Sequence, residues 1–135
     1  MIRAIVIGSL VVFTLGSVVA YRLYNKPHRS VEKESPYASM SAYELFSAFE
    51  TNEAEANIRY LDKVIEVDGT VSEILSNQDG ESVLLLKTGD PLFGISCTIK
   101  GGIANVKPGM PVTVKGICTG YLSDVVLTDG LLVGN

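Results

Sequence analysis

The chain has 135 residues, with 11 Lys+Arg against 15 Asp+Glu and a formal net charge of −4. That length holds one ordinary domain, and 47% apolar with 19% charged residues excludes a compositionally disordered chain. Two cysteines, one histidine and no tryptophan exclude a disulfide-dense scaffold and a four-cysteine zinc site, and leave few parts for acid–base or metal chemistry.

The charge is split along the chain. Residues 1–29 hold Arg3, Arg22, Lys26 and Arg29 and no acid; residues 30–135 hold the other seven basic residues and all 15 acids, a net of −8. Within the basic head, Ala4–Tyr21 is a run of 18 residues without a charge. At about 1.5 Å per helical residue it spans ~27 Å, close to the ~30 Å hydrocarbon core of a bilayer. Tyr21 and Tyr24 stand where interfacial aromatics belong, Arg22 can snorkel to the headgroups, and Pro27 is expected to stop the helix. Residues 1–24 therefore read as a single, uncleaved membrane span. The competing reading is a cleaved signal peptide, for which Val18-Val19-Ala20 offers small residues near a cleavage point. Against it stand the length of the apolar run, beyond the usual ~7–15 residues, and a basic region reduced to Arg3. No cysteine lies near the segment, so a lipid-modified cysteine anchor is not expected. The flanking charges, Arg3 with the α-amino group against Arg22, Lys26 and Arg29, lean by one charge towards a cytoplasmic body. Gly16 and Ala20 form a small-residue pair that could join two helices, although simple packing against lipid explains them as well.

Residues 25–40 are polar and contain Pro27 and Pro36, and read as an extended tether. His28, alone within it, reads as a solvated residue. Ser41 followed by Glu44 is a capping box that opens a helix over Ala42–Tyr60, with a break expected near Thr51-Asn52. Leu45, Phe49 and Ala56, with Phe46 beside them, form its apolar stripe, while Glu50, Glu53 and Glu55 read as a solvated face.

The period then changes to two. Lys63–Leu75 alternates, with Ile65, Val67 and Val71 on one side and Gly69 marking a bulge or bend. Asn77–Gly80 is a turn, Ser82–Thr88 a second strand, Leu92–Ile99 a third, Pro111–Leu122 a fourth bent at Gly116, and Asp124–Gly134 a fifth. Five short, bent strands behind one helix point to a small closed barrel, because closure removes exposed edges and glycines permit the curvature. The fold class expected is mainly β: a five-stranded Greek-key OB-fold barrel preceded by a packing α-helix, with an N-terminal transmembrane helix. An SH3-like barrel and an open β-sandwich are the alternatives. The chain divides into an anchor (1–24), a polar tether (25–40) and the OB-fold domain with its helix (41–135).

The segments YELFSAFETNEAEANIRY (Tyr43–Tyr60), YLDKVIEVDGTVSEI (Tyr60–Ile74), GISCTI (Gly94–Ile99) and VKPGMPVTVKGICTGYLSDVVLTD (Val106–Asp129) resemble the tRNA_anti-like OB-fold family over roughly Ser41–Val133. The resemblance implies an OB barrel, commonly in bacteria and often behind a hydrophobic N-terminal segment, and it brings no catalytic motif. An OB-fold usually carries a helix between its third and fourth strands. Lys100–Met110 is short, with two glycines and a proline, so the Ala42–Tyr60 helix is expected to plug the barrel instead, through Leu45, Phe46 and Phe49.

Nucleic-acid binding requires a basic groove and stacking rings. The barrel strands hold Phe93 and Tyr121 as their aromatics and the body carries −8, so nucleic acid is disfavoured as a partner, although a single-stranded nucleic-acid role remains the alternative. Catalysis is not expected. The single histidine lies in the tether, no phosphate-binding glycine motif is present, and Asn77-x-Asp79-Gly80 lacks the rest of a calcium loop. No cofactor or metal is implied. Cys97 and Cys118 should both face the core as small hydrophobes, with a disulfide between them as the other option outside the cytoplasm. What remains is a membrane-anchored, non-catalytic binding module for a protein, a small cationic ligand or an envelope-associated ligand. Its candidate contact residues are Asn77, Asp79, Asp90, Tyr121 and Asp124 on the turns, each of which ordinary turn chemistry also explains.

Overall fold

A computed structural model describes residues 1–25 and 29–134. The expectations at Pro27 and His28 lie outside the described residues. Ile2–Tyr24 forms one helix, α1, whose Val6–Tyr24 stretch has a mean hydropathy of 1.8 and is not buried against the rest of the chain. Its hydroxyls turn back on the helix: Thr14 donates to the Leu10 carbonyl at 3.0 Å and Ser17 to that of Phe13 at 2.8 Å. This satisfies them without water, as an apolar surrounding requires.

The remaining elements are β1 (Ala38–Ser41), α2 (Ala42–Thr51), α3 (Glu53–Tyr60), β2 (Val64–Ser76), β3 (Ser82–Leu86), β4 (Ile95–Ile99), β5 (Pro111–Tyr121) and β6 (Val125–Leu132). The order β2-β3-β4-β6-β5 closes on itself through β2–β5, and all these pairs are antiparallel except β4–β6. This is the five-stranded OB barrel. Alternation carries Ile65, Val67, Leu84, Ile95, Val114 and Leu127 into the core, where each is fully buried.

Closure rests on β2, which changes partner halfway. Val64–Thr70 pairs with β5 and Val71–Ser76 pairs with β3. The switch falls one residue after Gly69, but the register slip lies between Val71 and Glu73, where Ser72 donates its hydroxyl to the Leu85 carbonyl at 3.0 Å. Gly69 serves a different need. A Cβ there would stand 3.1 Å from the Cβ of Ala42 and 3.2 Å from that of Leu86, so the helix start and β3 occupy its side-chain space. Gly116 does sit at a register shift, between Lys115 and Ile117 of β5.

The polar segment expected as a tether is docked from Arg29 onwards. The Arg29 guanidinium pairs with Glu34 and donates to the Asp62 carbonyl at 2.6 Å, and Val31 is buried. Tyr37 N–H donates to the Val64 carbonyl at 2.8 Å, and Ala38–Ser41 pairs in parallel with Ile65–Asp68. The reason lies in the partner switch. The first half of β2 has no β3 beside it, and β1 takes up the backbone groups that would otherwise form an open edge.

The capping box forms as expected. Ser41 Oγ accepts the Glu44 N–H at 3.2 Å, and the Glu44 carboxylate accepts the Ser41 N–H at 2.8 Å. Those bonds, the backbone one first, hold Glu44 below the usual carboxylate range. The expected break falls at Asn52, whose side chain accepts the Glu55 N–H at 3.2 Å and caps α3. Leu45, Phe46, Phe49, Ala56 and Tyr60 bury against the barrel end where β5 finishes and β6 begins. Because β4 and β6 are parallel, Lys100–Met110 leaves from the opposite end. It forms turns and contributes Val106 and Ile103 to the core.

Candidate ligand-binding face

OB barrels hold ligands on the outer face of their second and third strands and on the neighbouring turns. Here those strands are β3 and β4. With Leu84, Leu86, Ile95 and Cys97 inside, alternation turns Val83, Leu85, Ser96 and Thr98 outwards, each half-buried. Register sets Leu85 opposite Ser96 and Ser96 opposite Val126. The face is a surface of methyls and hydroxyls. At its edge Lys100 is paired with Asp129 at 2.5 Å, which takes up that charge.

The turns spend most of their polar groups on themselves. Asn77 Oδ1 accepts the N–H groups of Asp79 (3.0 Å) and Glu81 (2.9 Å), closing the β2–β3 turn. Asp90 Oδ1 accepts those of Leu92 (2.7 Å) and Phe93 (2.8 Å). Asp124 Oδ1 accepts the Gly94 N–H at 2.7 Å and so ties the β5–β6 turn to the β3–β4 connection. Tyr121 stacks on Phe49 at a centroid distance of 5.8 Å and meets Phe46 edge-on at 6.1 Å. Its ring is therefore part of the cap. Asp90, Tyr121 and Asp124 lie at the capped end, while Asn77 and Asp79 lie at the other, so the five do not converge on one site. Asp79 alone of the five is exposed with its carboxylate free of hydrogen bonds among the described residues.

What sequence reading did not assemble is a cleft of about 280 Å³ beside the strand face, between Ser72 and Leu85 on one side and the Thr88–Gly94 loop on the other. Lys87 and Phe93 stand at its wall, and Phe93 is 42% exposed. The loop holds its shape through Asp90 and through Thr88, whose hydroxyl donates to the Phe93 carbonyl at 2.8 Å. Thr88-x-Asp90 spacing is an ordinary turn signal, and nothing in it marks the neighbouring ring as exposed.

Cys97 and Cys118 are both buried and free. Cys97 lies opposite Leu127 on one side of β6 and Cys118 opposite the same Leu127 on the other. Two strand spacings separate them by about 10 Å, beyond the reach of a disulfide without backbone movement. Burial pushes both thiols up, Cys118 against a weaker opposing bond from the Gly120 backbone. Neither is an activated nucleophile. Among the described residues, no three His, Cys, Asp or Glu side chains gather as a metal site.

Comparison with known proteins agrees with the fold. A nucleic acid-binding lipoprotein of Klebsiella pneumoniae subsp. pneumoniae MGH 78578, provisionally so named, superposes with a TM-score of 0.53 at 19% identity, over 71% of this chain and 91% of its own. An aspartyl-tRNA synthetase from Leishmania major Friedlin, also provisionally named, is matched over 88% of this chain but 26% of its own, at 12% identity and a TM-score of 0.46. No curated protein matches the chain. The tRNA_anti-like family matches residues 1–130, and with the OB barrel it describes now in view, the chain belongs to the tRNA_anti-like family.

Proposed function

We propose that this chain is a non-catalytic OB-fold binding module held at a membrane by α1, and that it recognises a protein or envelope-associated ligand on the β3–β4 face and the adjoining Phe93 cleft. The observation that carries this reading is the chemistry of that face. Leu85, Val83, Ser96 and Thr98 offer methyls and hydroxyls, Lys100 is paired with Asp129, and Tyr121 is packed in the cap, which leaves one exposed ring, Phe93, and one lysine, Lys87, at the cleft. Single-stranded nucleic acid needs successive rings to stack on and a basic groove for phosphate; one ring and one lysine do not make either, and residues 30–135 carry −8. The second reading, nucleic-acid binding, draws on the provisional name of the Klebsiella neighbour. We take residues 1–24 as the retained anchor and 41–135 as the binding domain, with 25–40 joining them. The flank charges and the two free thiols favour a cytoplasmic body.

The test places a photo-crosslinking residue at Phe93 or Leu85 of the full chain in cells and identifies the adduct by mass spectrometry. In parallel, detergent-purified protein is titrated with labelled single-stranded DNA and tRNA at low salt. A discrete protein or glycan adduct without nucleic-acid retention is the expected result. Salt-sensitive retention of nucleic acid with adducts to it would overturn the reading in favour of the second one. Intact mass and a carboxyl-terminal topology reporter check retention of the anchor and the side of the body.

A further inference from the structure

The docking of Arg29–Ser41 shortens the free connection between anchor and barrel. Tyr24 ends α1, and Arg29 is already fixed to Glu34 and the Asp62 carbonyl. Four residues, 25–28, lie between the two, and the five residue steps of fully extended chain cover no more than about 18 Å. If α1 ends at the bilayer surface, the part of the barrel around Arg29 and Asp62 must hang beside it.

That part of the surface is unlike the rest. Asp62 follows α3, and the side of α3 turned away from the barrel carries Ala54, Ile58 and Leu61, at i, i+4 and i+7. Ile58 is 86% exposed and Leu61 38%. Leu61 shares a cleft with Leu122 of the β5–β6 turn, itself 86% exposed. A water-facing helix does not ordinarily present such a stripe. Charge follows the same division. Arg29, Lys33, Arg59, Lys63 and Lys115 lie on this side with Glu32, Glu34, Glu53, Glu55, Asp62, Glu66 and Asp124, a net of −2; Lys115 Nζ lies 3.5 Å from the Glu32 carbonyl and Arg59 pairs with Glu55 at 3.2 Å. The connection adds Arg22 and Lys26. Elsewhere the body holds Lys87, Lys100 and Lys107 against its other eight acids, a net of −5 that anionic lipid would repel more strongly.

We infer that the outer face of α3 and the β5–β6 turn rest on the bilayer, so that Ile58, Leu61 and Leu122 act with α1 to fix the barrel's orientation. The occupant of the apolar stripe is the lipid surface that the short connection brings to it. The acidic strands and the β2–β3 turn then face away from the membrane. This inference rests on α1 being a retained anchor.

The experiment uses the full chain reconstituted in vesicles of phosphatidylethanolamine and phosphatidylglycerol that carry nitroxide on their acyl chains. Single environment-sensitive fluorophores are attached at Ile58→Cys, Leu122→Cys and, on the β2–β3 turn, Asp79→Cys. All three positions are exposed and the native thiols are buried, so folding and selective labelling are retained. Blue-shifted emission and nitroxide quenching at positions 58 and 122, several-fold stronger than at 79, is the expected result. Equal, water-like signals at all three overturn the inference, including the case in which a protein partner is the true occupant. Flotation with the vesicles after an alkaline wash separates the two readings. Protein that floats with aqueous labels sinks the inference alone, while protein that does not float sinks the anchor and the inference with it.

Discussion

The two ends of the barrel are closed by different means. At one, α2 and α3 lay a connected set of large side chains over the opening, with Phe49 set between the rings of Tyr60 at 6.2 Å and Tyr121 at 5.8 Å. At the other, the Lys100–Met110 turns supply Ile103 and Val106. An OB barrel needs a plug, but the plug need not come from the connection between its third and fourth strands. Here the chain ahead of the barrel provides the aromatic mass, and the usual position is left to turns. The stability of the domain should therefore be concentrated at the end nearest the proposed anchor.

That asymmetry can be tested in the full chain in mild detergent, with near-ultraviolet circular dichroism of Tyr60 and Tyr121 in the cap reporting urea unfolding. Phe49→Ala should have the largest effect. Phe49 is 1% exposed, and removing a buried phenyl ring costs about 3–5 kcal/mol. Gly69→Ala should follow, at about 1–3 kcal/mol, because the new methyl meets Ala42 and Leu86 at 3.1–3.2 Å, so that the helix start and β3 must each yield slightly within a packed core. Val106→Ala, at the turn-closed end, should cost on the order of 1–2 kcal/mol for the methyls lost. If Val106→Ala proves as damaging as Phe49→Ala, the two ends are equivalent and the comparison fails.

Much of this was legible in the residues. Period-two alternation located the five barrel strands, and Ser41 with Glu44 located the start of α2. The plugging role of Leu45, Phe46 and Phe49 followed from an apolar stripe that had to be covered and a Lys100–Met110 segment too poor in helix formers to cover it. What escaped were features set by partners remote in sequence. β1 is four residues long, and Ala38 and Met40 alternating with Ser39 and Ser41 is too brief a pattern to separate from a polar linker. The strand exists because β3 leaves half of β2 unpaired, a fact of topology. The same is true of Tyr121, which read as a loop residue open to a ligand and is instead held by two phenylalanines more than seventy residues earlier in the chain. Turn aspartates gave the opposite difficulty. Asp90 and Asp124 have the same residue type whether they serve a ligand or their own backbone, and the hydrogen bonds show the second use.

The smallest effect bears on how the cap is fastened rather than on its bulk. Glu44 is held below the ordinary carboxylate value of 4.5 by the Ser41 backbone N–H and then by its hydroxyl. A carboxylate whose folded value is depressed contributes stability that is fully present above its unfolded value and is lost as pH falls through the folded one. Glu44→Gln keeps an oxygen for the Ser41 N–H but removes the titration. The parent should therefore be the more stable protein at pH 7, and its advantage over Glu44→Gln should shrink as pH falls below about 4.5. Ser41→Ala, which removes the cap oxygen itself, should cost about 1 kcal/mol at neutral pH. Urea midpoints of the three proteins between pH 7 and pH 3 decide the matter. A gap between the parent and Glu44→Gln that does not change with pH would mean that the box shapes the helix start without its charge contributing. The fastening of the aromatic cap would then rest on α2's buried face alone.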